Sequence, residues 1–262
     1  MTTRMPSLFV SHGAPTFAIE PAQAGPLLRR LGEQLPKPKA VLLLSPHWIT
    51  RNVQVTTTEA PGTIHDFGGF PAELYRIQYP APGSPAVAQR ALELLNAGGW
   101  NATPDDRRGL DHGAWVPVRH LFPDADVPVV QVSMPHKLDA EGALRLGRTL
   151  APLADEGVLI VGSGSITHNL YEFRQQLDAA SADYAVEFTD WARRAVMQHD
   201  ADAVVHYLER APHAQRAHPT PDHYLPLPFA LGAAPAGEPV QVLDGGMTYG
   251  TLAMDAYLFG RA

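Results

Sequence analysis

The sequence contains no cysteine, and only three of its 262 residues are lysine. The absence of thiols excludes disulfides, iron–sulfur clusters, thiolate zinc sites and cysteine nucleophiles. The formal net charge of −7 and the scarcity of lysine argue against a nucleic-acid partner and against a lysine-rich patch for anionic lipid. No apolar run approaches the ~20 residues of a membrane-spanning helix, and no signal-peptide core is present. We therefore expect no membrane partner and a cytoplasmic location.

Several common catalytic motifs are also missing. The sequence has no His-Glu-x-x-His helix, no phosphate-binding Gly-x-x-x-x-Gly-Lys and no Gly-x-Gly-x-x-Gly motif after a strand. The glycine-rich segment 162–166 has Ile166 where a nucleophile elbow needs glycine, which argues against a serine hydrolase.

The pattern of apolar residues predicts an α/β fold. Four short apolar runs are typical of strands buried on both faces: 8–10, 40–44, 127–132 and 157–161. Helical patterns alternate with them at 86–95, 140–154, 184–197 and 202–209. We predict one domain over residues 1–262, with a central, mostly parallel or mixed sheet and helices on both faces. The proline-rich segments 61–85 and 212–239 are interpreted as packed functional loops.

Twelve histidines contrast with the absence of cysteine. His12, His47 and His168 each follow a different predicted strand. Ligands of open α/β sheets bind at the carboxyl ends of the strands, so these three side chains are candidates for one crevice. His112 and His223 lie in loops near glycine or proline. Other histidines are predicted to lie on the surface: His120, His136, His199, His206 and His213.

A single histidine at a strand end is more often structural than a ligand, but three such residues favour a metal or acid–base site. Imidazole ligands without thiolates suit zinc, copper, nickel or iron(II). His65 is ambiguous, because it could line a substrate pocket with Phe67 and Phe70 or simply cap a turn.

Seven motifs occur in the same order as in one known family, between about Pro6 and Leu258. The motifs are Ser11-His12-Gly13-Ala14-Pro15, Ser45-Pro46-His47-Trp48, the segment from Thr63 to Pro71, Tyr79-Pro80-Ala81-Pro82-Gly83, the segment from Gly109 to Trp115, the segment from Ser163 to Leu170, and the segment from His218 to Leu227. On these motifs the chain resembles the class III (LigB-type) extradiol ring-cleavage dioxygenases, in particular their 4,5-DOPA dioxygenase branch.

The resemblance implies a role for each of five histidines. His12 and His47 fall on two metal ligands of the family, and His223 falls on the histidine that completes the metal site in this branch. His168 falls on a histidine usually given the role of acid–base catalyst, and it could also be a fourth ligand. His112 falls on another active-site histidine that contacts substrate or oxygen. Aromatic or imidazole side chains beside these motifs are predicted to contact the substrate: His65, Phe67 and Tyr224.

The implied chemistry is cleavage of a catechol ring, in DOPA or a related compound, with O2. Iron(II) held by three protein ligands leaves open positions for both substrates, whereas zinc fits the same nitrogens but has no redox chemistry. We therefore expect iron(II) for activity and zinc as an ion that a purified form can hold. Two alternatives are a zinc hydrolase and a non-catalytic binding protein on the same scaffold. The preferred catechol, the bond cleaved and the oligomeric state are not fixed by the sequence.

Overall fold

The computed structural model describes residues 4–262, and within this range the chain forms ten strands and ten α-helices. The strands are β1 (Ser7–Ser11), β2 (Ala40–Thr50), β3 (Gln54–Thr56), β4 (Thr103–Asp105), β5 (Val129–Pro135), β6 (Val158–Gly164), β7 (Val240–Leu243), β8 (Met247–Thr248), β9 (Leu252–Ala253) and β10 (Ala256–Phe259). The helices are α1 (Ala24–Gln34), α2 (Pro85–Ala97), α3 (His112–Leu121), α4 (Ala140–Leu150), α5 (Pro152–Asp155), α6 (Asp183–Met197), α7 (Ala201–Val205), α8 (Tyr207–Arg210), α9 (Ala214–Ala217) and α10 (Pro226–Ala233).

Eight strands form one mixed sheet in the order β4-β3-β5-β2-β6-β1-β10-β7. The four central strands β5, β2, β6 and β1 run parallel, and antiparallel pairings with β3 and β10 flank them. The central strands are almost completely buried, as their continuous apolar sequences predict. This confirms the predicted fold class.

Helices cover both faces of the sheet, and neighbouring residues of β6 show this directly. A Cβ atom at Gly162 would lie 2.0 Å from the backbone oxygen of Pro226 in α10. The next side chain, Ser163, donates a hydrogen bond to the backbone oxygen of Gly113 in α3. Because successive side chains of a strand point to opposite faces, α10 and α3 lie on opposite sides of β6.

Two predicted strands are longer than their apolar runs. β2 continues through His47 to Thr50, although its register against β5 is interrupted between Leu44 and Ile49. His47 therefore lies in an irregular part of the strand and not beyond its end. β6 continues to Gly164, which places His168 four residues past the strand.

The proline-rich segment 212–239 was predicted as loop, but it contains α9 and α10. Every residue of α10 is buried, so the helix is apolar on all sides and lacks the periodicity that marks an amphipathic helix. Two other predicted helices, 140–154 and 202–209, are each divided in two, at Ala151 before Pro152 and at His206.

The predicted extent of the domain, residues 1–262, stays a prediction, since residues 1–3 lie outside the described residues. Within residues 4–262, no helix has both the length and the apolar character needed to cross a membrane.

Candidate active site

Three histidines from distant parts of the chain meet at the carboxyl edge of the parallel strands. One ring nitrogen from each of His12, His47 and His223 lies within 4.8 Å of the others. The Nε2 atoms of His12 and His47 are 3.1 Å apart, and the three ring centroids are separated by 5.0 to 5.3 Å. Two nitrogens at this separation can both reach an ion at the usual distance of about 2.0–2.1 Å.

His12 directly follows β1, and its neighbours fix which nitrogen is free. Ser163 of β6 donates its hydroxyl hydrogen to the backbone oxygen of Gly113. Its oxygen, 3.0 Å from Nδ1 of His12, is then available to accept the Nδ1 hydrogen. This arrangement leaves the lone pair of His12 on Nε2, which faces His47.

His223 is held in the same way by a carboxylate. Its Nδ1 donates to Asp222 at 2.6 Å, which leaves Nε2 free. Burial by itself would raise the pKa of Asp222, but the hydrogen bond and the nearby charge of His223, together with a hydrogen bond from Thr220, outweigh burial and hold the pKa below its usual range. Partners of this kind orient metal-bound histidines in proteins.

His47 lies in the interrupted part of β2, where the backbone leaves its regular register with β5. Its backbone oxygen accepts a hydrogen bond from Arg108, and its Nδ1 is 3.8 Å from the carboxylate of Asp66. Gly113 makes room for the ring, since a Cβ there would lie 2.9 Å from His47.

All three histidines are kept neutral by their surroundings. Burial, with a further contribution from neighbouring histidines, lowers the pKa of His12 well below its usual value. Burial lowers the pKa of His47 to about 4, and burial also lowers that of His223 well below its usual value. Neutral imidazole is the form that ligates metal, so these three nitrogens fit a divalent ion.

His112 begins α3 and forms a pair with Asp66. The carboxylate of Asp66 accepts one hydrogen bond from the backbone N–H of His112 and one from its Nδ1, at 2.8 and 3.0 Å. Burial would raise the pKa of Asp66, but these bonds and the nearby charge of His112 lower it to about 2. When the ring of His112 is neutral and Nδ1 donates to Asp66, the lone pair lies on Nε2.

His168 stacks on His223, with ring centroids 3.5 Å apart and an angle of 5° between the planes. It does not belong to the set of three nitrogens within 4.8 Å of one another. Burial is the main cause of its lowered pKa. The structure thus places His168 beside the three-histidine cluster, and its predicted role as acid–base catalyst or fourth ligand stays a prediction.

A cavity of about 440 Å³ opens above these histidines, within the usual range for small-molecule sites. His12, His47, His112, His168 and His223 all line it. The remaining lining residues are small or apolar: Gly13, Ala14, Pro15, Phe67, Gly68, Phe70, Leu170, Phe173 and Leu252. Phe67 is therefore placed where its predicted contact with substrate is possible.

Two other predicted substrate contacts lie outside the lining. The prediction is wrong for Tyr224, which is fully buried, donates its hydroxyl to the backbone oxygen of Val204 and stacks on Tyr207. The Nε2 atom of His65 donates a 2.9 Å hydrogen bond to the backbone oxygen of Ile77. The centroid of its ring lies 5.8 Å from that of Phe67, which does line the cavity.

The predicted surface position of His120 is also wrong. It is buried, and its Nε2 bonds to the backbone oxygen of Phe17, because α3 packs against that segment of the chain. The other four histidines of this group, His136, His199, His206 and His213, are exposed as predicted.

Several residues of the site were missed by the sequence analysis. Asp66 and Ser163 lie within the recognised motifs, but their partners are 46 and 151 residues away along the chain. Leu170 and Phe173 follow His168, and no apolar periodicity marks that segment. A signal for Asp66 was its position one residue after His65, in a motif already connected with the site.

Comparison with known proteins identifies the family of this chain. The family described as the catalytic LigB subunit of aromatic ring-opening dioxygenase matches residues 8–260. This chain belongs to the LigB family. It is 41% identical to the protein of Escherichia coli (strain K12) named 4,5-DOPA dioxygenase extradiol, over 97% of this chain and 94% of that one. It is also 41% identical to the protein of that name from Beta vulgaris, over 94% of each chain.

A solved structure shares the fold of this LigB protein. The crystal structure of an uncharacterized protein from Escherichia coli K12 matches with a TM-score of 0.82 and 34% identity, covering 98% of this chain and 100% of the other. The chain is a metal-dependent extradiol dioxygenase that opens the ring of a catechol with O2, as predicted. It is therefore neither the zinc hydrolase nor the non-catalytic binding protein considered above.

Proposed function

We propose that His12, His47 and His223 hold iron(II), and that this LigB protein uses it to cleave DOPA or a related catechol. The observation that supports this is the convergence of three neutral imidazoles at the floor of a cavity large enough for a substituted catechol. DOPA is the first compound to test, because the relatives from Escherichia coli and Beta vulgaris carry its name.

The choice of iron(II) rests on the reaction. The chemistry that iron(II) supplies is joint binding of catecholate and O2 and electron transfer between them. Zinc binds nitrogen ligands at least as well as iron(II) but has no redox chemistry. We therefore infer that a zinc-loaded preparation keeps the fold and has no dioxygenase activity.

The residues around the cluster handle protons and exclude water. His168 is neutral near pH 7, because burial lowers its pKa, and so it can accept a proton from a catechol hydroxyl and later return it. His112 presents its Nε2 to the cavity, since Nδ1 is bonded to Asp66. Phe67 and Phe70 line the cavity with their ring centroids 5.5 Å apart and their ring planes nearly perpendicular. In this position they limit the access of water to a bound catechol ring.

The test compares metal-free protein reloaded with iron(II) or with zinc. With iron(II), DOPA in air should consume one O2 per catechol and form a yellow semialdehyde, whereas the zinc form should do neither. Metal content is measured on the same samples. Turnover by the zinc form would contradict the proposal. So would a protein that holds one iron(II) per chain and consumes no O2 with any catechol.

A further inference from the structure

A single carboxylate, in the loop that carries Phe67, holds both the backbone and the ring of His112. The two oxygens of Asp66 accept one hydrogen bond each from His112, from its backbone N–H at 2.8 Å and from its Nδ1 at 3.0 Å. The side chain of Asp66 is only 19% exposed, and His112 is buried. Within residues 4–262 the His112 ring has no other hydrogen-bond partner. The orientation of this ring therefore depends on Asp66.

The second nitrogen of the His112 ring is the one that a bound catechol can use. An ionised carboxylate only accepts hydrogen bonds, so Nδ1 donates and the lone pair of the neutral ring lies on Nε2. The ring lines the cavity, with its centroid 4.0 Å from that of His47 and 5.6 Å from that of Phe67. Asp66 thus holds a proton acceptor beside the candidate metal ligands.

The local backbone does not depend on Asp66. The N-cap of α3 is Asp111, whose side chain accepts a hydrogen bond from the backbone N–H of Ala114 at 3.1 Å. The loop that carries Asp66 has an attachment of its own, because the backbone N–H of Ile64 donates to the backbone oxygen of Leu110 at 2.7 Å. A purely structural role for Asp66 therefore predicts little effect of a substitution that keeps the shape of its side chain.

Asp66 also lies near a candidate metal ligand, but at a longer distance. The Nδ1 atom of His47 is 3.8 Å from the same carboxylate oxygen that bonds Nδ1 of His112, which is beyond the length of a hydrogen bond. The direct bonds of Asp66 are with His112. We therefore expect its removal to affect turnover more than metal binding.

We propose that Asp66 is a positioning residue for ring cleavage, which acts through His112 by keeping the lone pair of Nε2 directed into the cavity. This inference rests on the proposed function, because it concerns a residue that serves the same site.

The substitution Asp66→Asn separates this role from a structural one. Asparagine keeps the shape of the side chain, but its NH2 group cannot accept a hydrogen bond. The backbone N–H of His112 cannot lose its hydrogen, so the amide oxygen should face it and the NH2 group should face Nδ1. That arrangement favours the tautomer with the hydrogen on Nε2, which then no longer accepts a proton.

The first test measures kcat with DOPA in air, iron content, and Kd for DOPA by calorimetry without oxygen. In Asp66→Asn, kcat should fall by about 10- to 100-fold, while iron content and Kd stay unchanged. Asp139→Asn is the matched control, because Asp139 also accepts a backbone hydrogen bond at the start of a helix, α4, and does not line the cavity. Its kcat should not change. Unchanged kcat in Asp66→Asn, or a loss of iron that accounts for its lower turnover, would overturn the inference.

A double-mutant cycle tests whether the effect passes through His112. The variant His112→Ala removes the ring and keeps the backbone N–H. We expect the double variant with Asp66→Asn to have the same kcat as His112→Ala alone. A loss in the double variant equal to the product of the two single losses would overturn the inference, since Asp66 would then act independently of the ring.

The tautomer can also be observed without turnover, which separates failure of this inference from failure of the proposed function. Long-range proton–nitrogen NMR spectra of the zinc-loaded protein distinguish a ring hydrogen on Nδ1 from one on Nε2, and His112→Ala identifies the signal. We expect the hydrogen on Nδ1 in the unchanged protein and on Nε2 in Asp66→Asn. The same tautomer in both proteins would overturn the inference, whatever their turnover. An iron protein that consumes no O2 with any catechol would contradict the proposed function alone.

Discussion

The protein contains two kinds of buried histidine. The site histidines His12, His47 and His223 direct free nitrogens toward one another at the edge of the sheet. His12 and His223 are buried, and His47 is half-buried. His120 and His218 are also buried, but each forms a hydrogen bond through Nε2 with a backbone oxygen, that of Phe17 or of Ile166. Burial lowers the pKa in both groups.

The comparison shows that burial and a lowered pKa do not by themselves identify a ligand. His218 is surrounded by the rings of Phe188, Tyr207 and Tyr224, and its role is to pack and to bond the backbone. The site histidines differ because Ser163 and Asp222 occupy Nδ1 of His12 and His223, and the three rings line the cavity, with Nε2 of His12 facing Nε2 of His47. The partner of Nε2 therefore distinguishes the two kinds of histidine. In a candidate ligand Nε2 is free to bind an ion, whereas in His120 and His218 it is bonded to a backbone oxygen.

The largest expected effect is the loss of metal when one member of the cluster is removed. His47→Ala should leave two neutral ligands, which hold a divalent ion poorly, so metal content and catechol turnover should both fall to background. His218→Gln is the matched control from the other group and should retain its metal. The check is metal analysis of both purified variants beside the unchanged protein. Retention of metal by His47→Ala would contradict the assignment of His47 as a ligand.

His168→Ala tests a residue that lies beside the cluster without belonging to it. If His168 transfers protons, turnover should fall by ~10²–10⁴-fold while metal content stays near that of the unchanged protein. Metal content and steady-state turnover are measured together with those of His47→Ala. Equal loss of metal in the two variants would show that His168 is a ligand.

The site histidines and the structural histidines should both make the metal-free protein less stable as the pH falls. Burial lowers the pKa of His218 to about 4, from about 6.5 in the unfolded chain, so the unfolded state takes up the proton first as the pH falls. The free energy of unfolding should be highest above pH 6.5 and decline toward pH 4, by on the order of 3 kcal/mol for one such histidine. Urea unfolding between pH 7 and 4.5 measures this, and His218→Gln should flatten the decline. An unchanged slope in that variant would show that His218 does not contribute.

The smallest effects should come from the groups that hold Nδ1. Asp222→Asn should weaken metal affinity by roughly 10- to 100-fold, as is typical for partners of metal-bound histidines. Ser163→Ala should have a smaller effect, because a neutral hydroxyl accepts a weaker hydrogen bond than a carboxylate. Competition with a chelator gives both affinities. A larger loss in Ser163→Ala than in Asp222→Asn would contradict this order.

Much of the fold was predictable because local patterns of apolar residues indicate its strands and helices. Strands buried on both faces read as continuous apolar runs, and the segments around β1, β2, β5 and β6 all do so. The parallel arrangement then brings residues that end different strands to one edge, which is why His12 and His168 were expected near each other. Helix α10 was missed for the complementary reason, since a helix buried on all sides has no polar face to reveal its period.

The sequence by itself determined the strand–helix alternation, the five candidate histidines and, through motifs in a fixed order, the family. Only the tertiary structure decided which nitrogen of each histidine is free, because that depends on partners as distant as Ser163 from His12. It also decided that Tyr224 and His120 are enclosed by packing, and that uncharged side chains line the cavity. Local periodicity encodes which face of an element is buried, whereas the identity of a side chain's neighbours depends on contacts between segments far apart in the chain.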